Sequence, residues 1–157
     1  MKWEDLKMRE ILFRGQIRKK GEKVRLDVSP VDGIWIFGGV SQFNGGERAI
    51  IYQTEPCIEK FPVYGDTVGQ YTGLTDKNGK KIFEGDIVNL KGNPAYPSWG
   101  FVDYNALVVY SDGAFSAIDG TEENHGLRRY NFTRAELDVE VIGNIHDNPE
   151  LLKGVNE

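Results

Sequence analysis

The chain has 157 residues, 39% of them hydrophobic, with 19 glycines, one cysteine and a net charge of −5. That length and apolar content suffice for a self-supporting core and exclude an intrinsically disordered chain. A single cysteine excludes an internal disulfide, an acidic balance excludes a general nucleic-acid binder with a concentrated basic face, and abundant glycine favours short strands with many turns over long helices.

The N-terminal stretch Met1-Lys2-Trp3-Glu4-Asp5-Leu6-Lys7 lacks the apolar core of a secretory leader, and no apolar run approaches the ~20 residues of a membrane span. The expected location is cytoplasmic, and the sequon Asn131-Phe132-Thr133 is expected to be a chance match.

Ile11, Phe13 and Gly15 alternate with Leu12, Arg14 and Gln16, which predicts a strand. Arg18-Lys19-Lys20-Gly21-Glu22 reads as a turn, and Val24, Leu26 and Val28 as the partner strand of a hairpin. Ile34-Trp35-Ile36-Phe37 and Ala49-Ile50-Ile51-Tyr52, rich in β-branched and aromatic residues, predict two more strands. Cys57 has no cation beside it in Glu55-Pro56-Cys57-Ile58-Glu59, so it reads as a small buried hydrophobe rather than a nucleophile. The chain is expected to form one unit over 1–157. The bend at Phe61-Pro62 is a candidate boundary between a smaller N-terminal lobe, 8–62, and a barrel-like C-terminal lobe, 63–152.

Thr67 to Tyr71 predicts a strand, Asp76-Lys77-Asn78-Gly79 a tight turn, and Asp86 to Leu90 a strand entered through Glu84-Gly85. Lys91 to Ser98 reads as loop. Phe101 to Tyr104 and Leu107 to Tyr110 predict two strands, and Ser111-Asp112-Gly113 closes a hairpin onto Ala114 to Ile118. Residues 119–131 are polar and irregular, the best candidate for a mobile loop. Thr133 with Glu136 fits a capping box, Val139, Val141, Ile142 and Ile145 predict a final buried strand, and Asn148-Pro149 predicts a terminal helical turn reaching Leu152. The whole is all-β: many short antiparallel strands in a barrel-like or sandwich arrangement, with one or two short helical turns near the C-terminus.

Chemical motifs are incomplete. Two histidines, His125 and His146, cannot complete a structural zinc site, and His146-Asp147 reads first as a turn before a helix cap. Gly73 to Lys81 has one residue too many between its glycines for a phosphate-binding loop, carries Lys81 where a Ser or Thr is needed, and precedes a strand rather than a helix. Glu84 with Asp86, and Glu136 with Asp138 and Glu140, are close carboxylates able to do acid–base or metal work if the fold gathers them. Asp86 after Gly85 reads more simply as a turn residue bonding local N–H groups. Tyr96, Trp99 and Tyr104 could stack on bases, but core or interface packing is the simpler role. No catalytic, metal or cofactor-binding residue is assigned.

Two blocks carry a resemblance. Thr67-Val68-Gly69-Gln70-Tyr71-Thr72-Gly73-Leu74-Thr75-Asp76-Lys77-Asn78-Gly79-Lys80-Lys81-Ile82-Phe83-Glu84-Gly85-Asp86-Ile87-Val88 is the longer, and Val141-Ile142-Gly143-Asn144-Ile145-His146-Asp147-Asn148-Pro149-Glu150-Leu151-Leu152 the other. With Arg9 to Gly15, they resemble the YopX-like family of bacteriophage and prophage proteins. The resemblance implies an all-β fold, a phage or prophage origin and residence in a bacterial cytoplasm. It implies no function and brings no catalytic residues. Family members look as if they start near Met8, so the resemblance implies either that Met1 to Lys7 is an extension or that the true start is Met8.

Three functional expectations follow. The first is a non-enzymatic binding or accessory module acting on a host or phage protein. The second is a small nucleic-acid-binding barrel, which requires Arg14, Arg18, Lys19, Lys20, Arg128 and Arg129 to cluster. The third is a carboxylate-based hydrolase, which requires Glu84 and Asp86 to meet other carboxylates in a cleft. Unpaired strand edges make a homo-oligomer an additional expectation.

Overall fold

The computed structural model describes residues 10–18, 34–93, 100–118, 129–130 and 137–152. Among them run β1 (Phe13–Arg18), β2 (Ile34–Phe43), β3 (Arg48–Gln53), β4 (Glu59–Tyr64), β5 (Gly69–Thr75), β6 (Lys81–Phe83), β7 (Asp86–Gly92), β8 (Val102–Ser111), β9 (Ala114–Ile118), β10 (Arg129–Tyr130) and β11 (Leu137–Asn144). They form two antiparallel sheets, ordered β4-β3-β2-β1-β5-β6 and β10-β9-β8-β7-β11. Helix among the described residues is confined to 3-10 turns at Asn44–Gly46, Gly65–Thr67 and Pro149–Leu152. The fold is all-β and sandwich-like, and the last turn falls where Asn148-Pro149 predicts it.

The first sheet rolls up. β1 and β4 stand three places apart in the strand order, yet a Cβ on Gly15 would lie 2.8 Å from Val63 Cγ2. The missing side chain at Gly15 lets Val63 close a core of Ala49 and Ile51 flanked by Phe13, Ile36, Val40 and Val68. Pro62 lies on β4, at the sheet edge, where a residue without an N–H is tolerated. The second sheet buries Val88, Leu90, Ala106, Val108 and Ala117 with Ile82 of β6, and Leu74 of β5 packs on them. Strands of the first sheet thus complete the core of the second.

A second link is polar. Asp76 is buried in the β5–β6 turn. Its Oδ1 accepts the N–H groups of Asn78 (2.8 Å) and Lys80 (2.9 Å), and its Oδ2 accepts the N–H of Val141 on β11 (3.0 Å). Lys77 N–H donates to the Val139 carbonyl at 2.9 Å, and the Lys77 ammonium pairs with Glu140. The turn expected from Asp76-Lys77-Asn78-Gly79 is therefore also a clip: it covers the outer edge of β11, which would otherwise be an open ladder.

Several expectations need correcting. β1 pairs with β2 along its length and with β5 at Phe13 and Arg14. Flanked on both sides, it buries Arg14, Gly15 and Gln16 consecutively rather than alternately. The hairpin partner expected at Val24 to Val28 lies outside the described residues, as do Lys91 to Ser98 beyond Asn93 and the capping box at Thr133. Phe101 precedes β8, and Val102 to Tyr104 and Leu107 to Tyr110 belong to that one strand. It runs unbroken through Asn105 because that side chain is satisfied, accepting from Asn89 Nδ2 across the ladder (3.2 Å) and donating to the Leu151 carbonyl (2.9 Å). Thr67 ends a 3-10 turn, and the strand begins at Gly69. Within the expected loop 119–131, Arg129–Tyr130 pairs with β9, and the other residues are outside the description. The Ser111–Gly113 hairpin forms as expected, with Asp112 and Gly113 at φ 52° and 79°, the positive values of a tight hairpin turn. Cys57 is exposed, not buried, because it sits in the connection between β3 and β4 beside Ile58, itself 75% exposed.

Candidate functional site

The two blocks that carry the family resemblance converge where the sheets meet. Gly85, between β6 and β7, holds φ at 85°, a conformation that favours glycine. Its carbonyl accepts the Ile145 N–H at 2.9 Å and its N–H donates to the Val108 carbonyl at 2.9 Å. A Cβ there would approach His146 Nε2 (3.8 Å) and Arg14 Nη2 (3.9 Å), so residues from positions 14, 85 and 146 share one small volume.

At its centre is a buried ion pair. Arg14 Nη2 lies 2.6 Å from Asp86 Oδ1, and their side chains are 9% and 2% exposed. Arg14 Nη2 also donates to the Glu84 carbonyl at 3.3 Å, and Asp86 Oδ2 accepts the Phe83 N–H at 2.7 Å. The guanidinium carbon stands 4.5 Å from the Trp35 ring centroid and 4.9 Å from that of Phe83, a cation held between two aromatic faces. Burial pushes the Asp86 carboxyl up from its ordinary value and the Arg14 guanidinium down, and each charge pulls the other back. A guanidinium keeps its proton in proteins, so the pair stands ionised.

A second carboxylate closes the network. Asp147 is buried. Its Oδ1 accepts Gln16 Nε2 (2.8 Å), and its Oδ2 accepts Trp35 Nε1 (2.8 Å) and Asn144 Nδ2 (2.9 Å). Asn144 Oδ1 in turn accepts the N–H groups of His146 and Asp147, fixing the turn after β11. Gln16 N–H donates to Thr67 Oγ1 at 2.8 Å, and that hydroxyl donates to the Tyr64 carbonyl. The His146 ring packs tilted on Trp35, centroids 5.9 Å apart. Side chains from β1, β2, β7 and the β11 turn thus bond one another and tie the junction together, with Arg14 Nε and Gln16 Oε1 the buried atoms of this network left without a hydrogen-bond partner among the described residues.

This arrangement decides how the sequence-predicted residues are used. Asp86 bonds the local Phe83 N–H, as the turn reading expects, but its larger partner is Arg14, 72 positions away. Asp86 faces a cation in the interior rather than a second carboxylate in a cleft, and Glu84 offers Arg14 its backbone carbonyl. Of the other acidic set, Asp138 is exposed, Glu140 pairs with Lys77, and Glu136 lies outside the described residues. Among the described residues no group of three His, Cys, Asp or Glu side chains is placed to hold a metal. Asp147, read with His146 as a turn before a helix cap, accepts three N–H donors. Of the basic set, Arg14 is withdrawn into the interior. Lys19, Lys20 and Arg128 lie outside the described residues, as do the side chains of Arg18 and Arg129, and so do His125, Tyr96 and Trp99. Tyr104 packs on the core of the second sheet. Gln16 and Trp35 are network members that sequence reading missed; their partner Asp147 lies more than 100 positions away, so nothing beside them in the sequence signals the contact.

The surface offers a different feature. A groove of ≈ 550 Å³ crosses β1, β3 and β4, lined by Ile17, Phe43, Glu47, Arg48, Ala49, Ile50, Pro62, Val63 and Tyr64. Phe43 is 47% exposed, and Ile17 and Tyr64 37% each.

No curated protein matches the chain. The crystal structure of protein EF1440 from Enterococcus faecalis is similar to it, with 27% sequence identity over 73% of this chain and 87% of that one and a TM-score of 0.40. The family model described as YopX protein matches residues 35–153, from β2 through the terminal turn, and leaves β1 with Arg14 outside the match. The chain belongs to the YopX family.

Proposed function

We propose that this chain is a non-enzymatic binding or accessory module, encoded by a phage or prophage and acting in the bacterial cytoplasm on a host or phage protein. The supporting observation is the open groove over β3 and β4. It presents Phe43, Tyr64 and Ile17, aromatic and aliphatic groups of the kind that anchor protein interfaces. Its charged liners are Glu47 and Arg48, one of each sign. That pairing suits a polypeptide segment carrying mixed charge around apolar side chains, whereas a uniformly anionic strand would meet Glu47 as well as Arg48. The occupant is therefore an extended segment of a partner protein. The polar junction between the sheets serves as scaffold that holds the groove's strands in place.

The test is capture from a bacterial lysate with the wild-type chain and with Phe43→Ser in parallel, followed by reconstitution with the purified captured protein. A protein retained by the wild type, lost at least about tenfold by the variant, and bound in reconstitution supports the reading. Equal capture by both chains contradicts it. Recovery of nucleic acid that is released by moderate salt contradicts it in favour of the nucleic-acid reading.

A further inference from the structure

A separate pocket of ≈ 370 Å³ lies between β1, β2 and the β5–β6 turn, lined by Leu12, Arg14, Phe37, Lys80, Lys81 and Phe83. We infer that it binds a small organic anion with a flat apolar body, an aryl carboxylate or aryl phosphate being the simplest members of that class.

The wall is aromatic. Phe37 and Phe83 stand edge to face with centroids 5.5 Å apart, and Phe37, on β2, is 42% exposed, so a flat group can cover what the protein leaves open. The base is cationic. Arg14 spends Nη2 on Asp86 and Glu84, but its buried Nε has no hydrogen-bond partner among the described residues. A buried donor left without an acceptor is costly, and such groups mark places where a ligand or water completes the site. The rim carries Lys80 and Lys81. Lys81 pairs with Glu10 at 2.5 Å and stands 5.0 Å from the Tyr71 ring, but both members of that pair are substantially exposed, so the link is weak and exchangeable. Among the described residues Lys80 forms no salt bridge. Asp76, in the same turn, has both oxygens engaged by backbone N–H groups.

Arg14 is paired with Asp86 and Lys81 with Glu10. Lys80 lies in the field of Asp76 and Asp86 but forms no salt bridge among the described residues, so it is the cation left to meet a single anionic group beside the apolar wall. The volume is near the lower end of ligand clefts, which limits the body to about one ring system. This site is separate from the β3–β4 groove and stands or falls independently of it.

The test is amide chemical-shift titration of the isotope-labelled full chain with benzoate, with phenyl phosphate and with benzyl alcohol as the neutral control. The expected result is saturable shifts at Phe37, Lys80, Lys81 and Phe83 with at least one anion, the better of the two identifying the headgroup. Binding of benzyl alcohol should be at least about tenfold weaker, and Lys80→Gln, an exposed change that leaves the fold intact, should weaken the anion by a similar factor. The inference is overturned if neither anion gives saturable shifts at those residues, if benzyl alcohol binds as well as the anions, or if Lys80→Gln leaves the affinity unchanged.

Discussion

Asp76→Asn is the sharpest test of the clip between the sheets, because it changes no volume and removes one acceptor. The carboxylate accepts three N–H groups, two in its own turn through Oδ1 and one on β11 through Oδ2. An asparagine can keep Oδ1 in place, but its amide NH2 then faces the Val141 N–H, donor against donor. One charge-assisted bond is lost, at about 1.5–3 kcal/mol, and the half-buried Val141 N–H is left unsatisfied. We expect a net loss of about 3 kcal/mol, or roughly 6–12 °C in Tm for a chain of this size. The pH dependence follows from the same contacts. Burial alone would raise the Asp76 carboxyl, but the N–H groups of Val141, Lys80 and Asn78 outweigh it and hold it below its ordinary value. A depressed carboxyl stabilises the fold above its unfolded-state value, about 3.9, and loses that contribution as pH falls through the lower folded-state value. A protonated Asp76 presents a donor to Val141, as asparagine does. The stability gap between wild type and variant should therefore be full at pH 7 and shrink below about pH 4. Urea denaturation at pH 7 and across the acid range measures it. A loss under about 0.5 kcal/mol at neutral pH, or a gap that stays constant into acid, would refute the clip.

Two further substitutions test the packing and the surface. Gly15→Ala should destabilise by about 1–3 kcal/mol in urea unfolding, since the added methyl meets Val63 Cγ2 at 2.8 Å inside the rolled sheet. Lys77→Ala should leave the urea midpoint close to that of the wild type, because its pair with Glu140 is exposed and the neighbouring backbone bond from Lys77 N to Val139 survives.

What could be read in the sequence was local. The strand at β1, the hairpin at Asp112-Gly113 and the terminal turn at Pro149 are written in a few adjacent residues, and all three form, although β1 does not bury alternate residues. So is the Asp76 turn, although its second role at Val141 is 65 positions away. Asn105 looked like a break in β8 because its partners, Asn89 and Leu151, cannot be inferred from its neighbours. Cys57 looked apolar enough to bury, but burial depends on where the β3–β4 connection runs. The polar junction was the least legible part. Gln16 and Asp147 meet across 131 positions and Trp35 and Asp147 across 112, so no spacing rule connects them. Arg14 groups with the candidate basic binding face because alternation cannot tell a strand flanked on both sides from an exposed hairpin.

The central claim is that the motif residues at the sheet junction are scaffold, coupled through the Arg14–Asp86 pair. A double-mutant cycle with Arg14→Met and Asp86→Leu, read by urea unfolding, tests it most directly. Each single change strands a buried charge and should cost about 3–5 kcal/mol, while the double variant should cost well under the sum, leaving a coupling of about 2–3 kcal/mol. Single variants within about 1 kcal/mol of wild type, or strictly additive costs, would contradict the account.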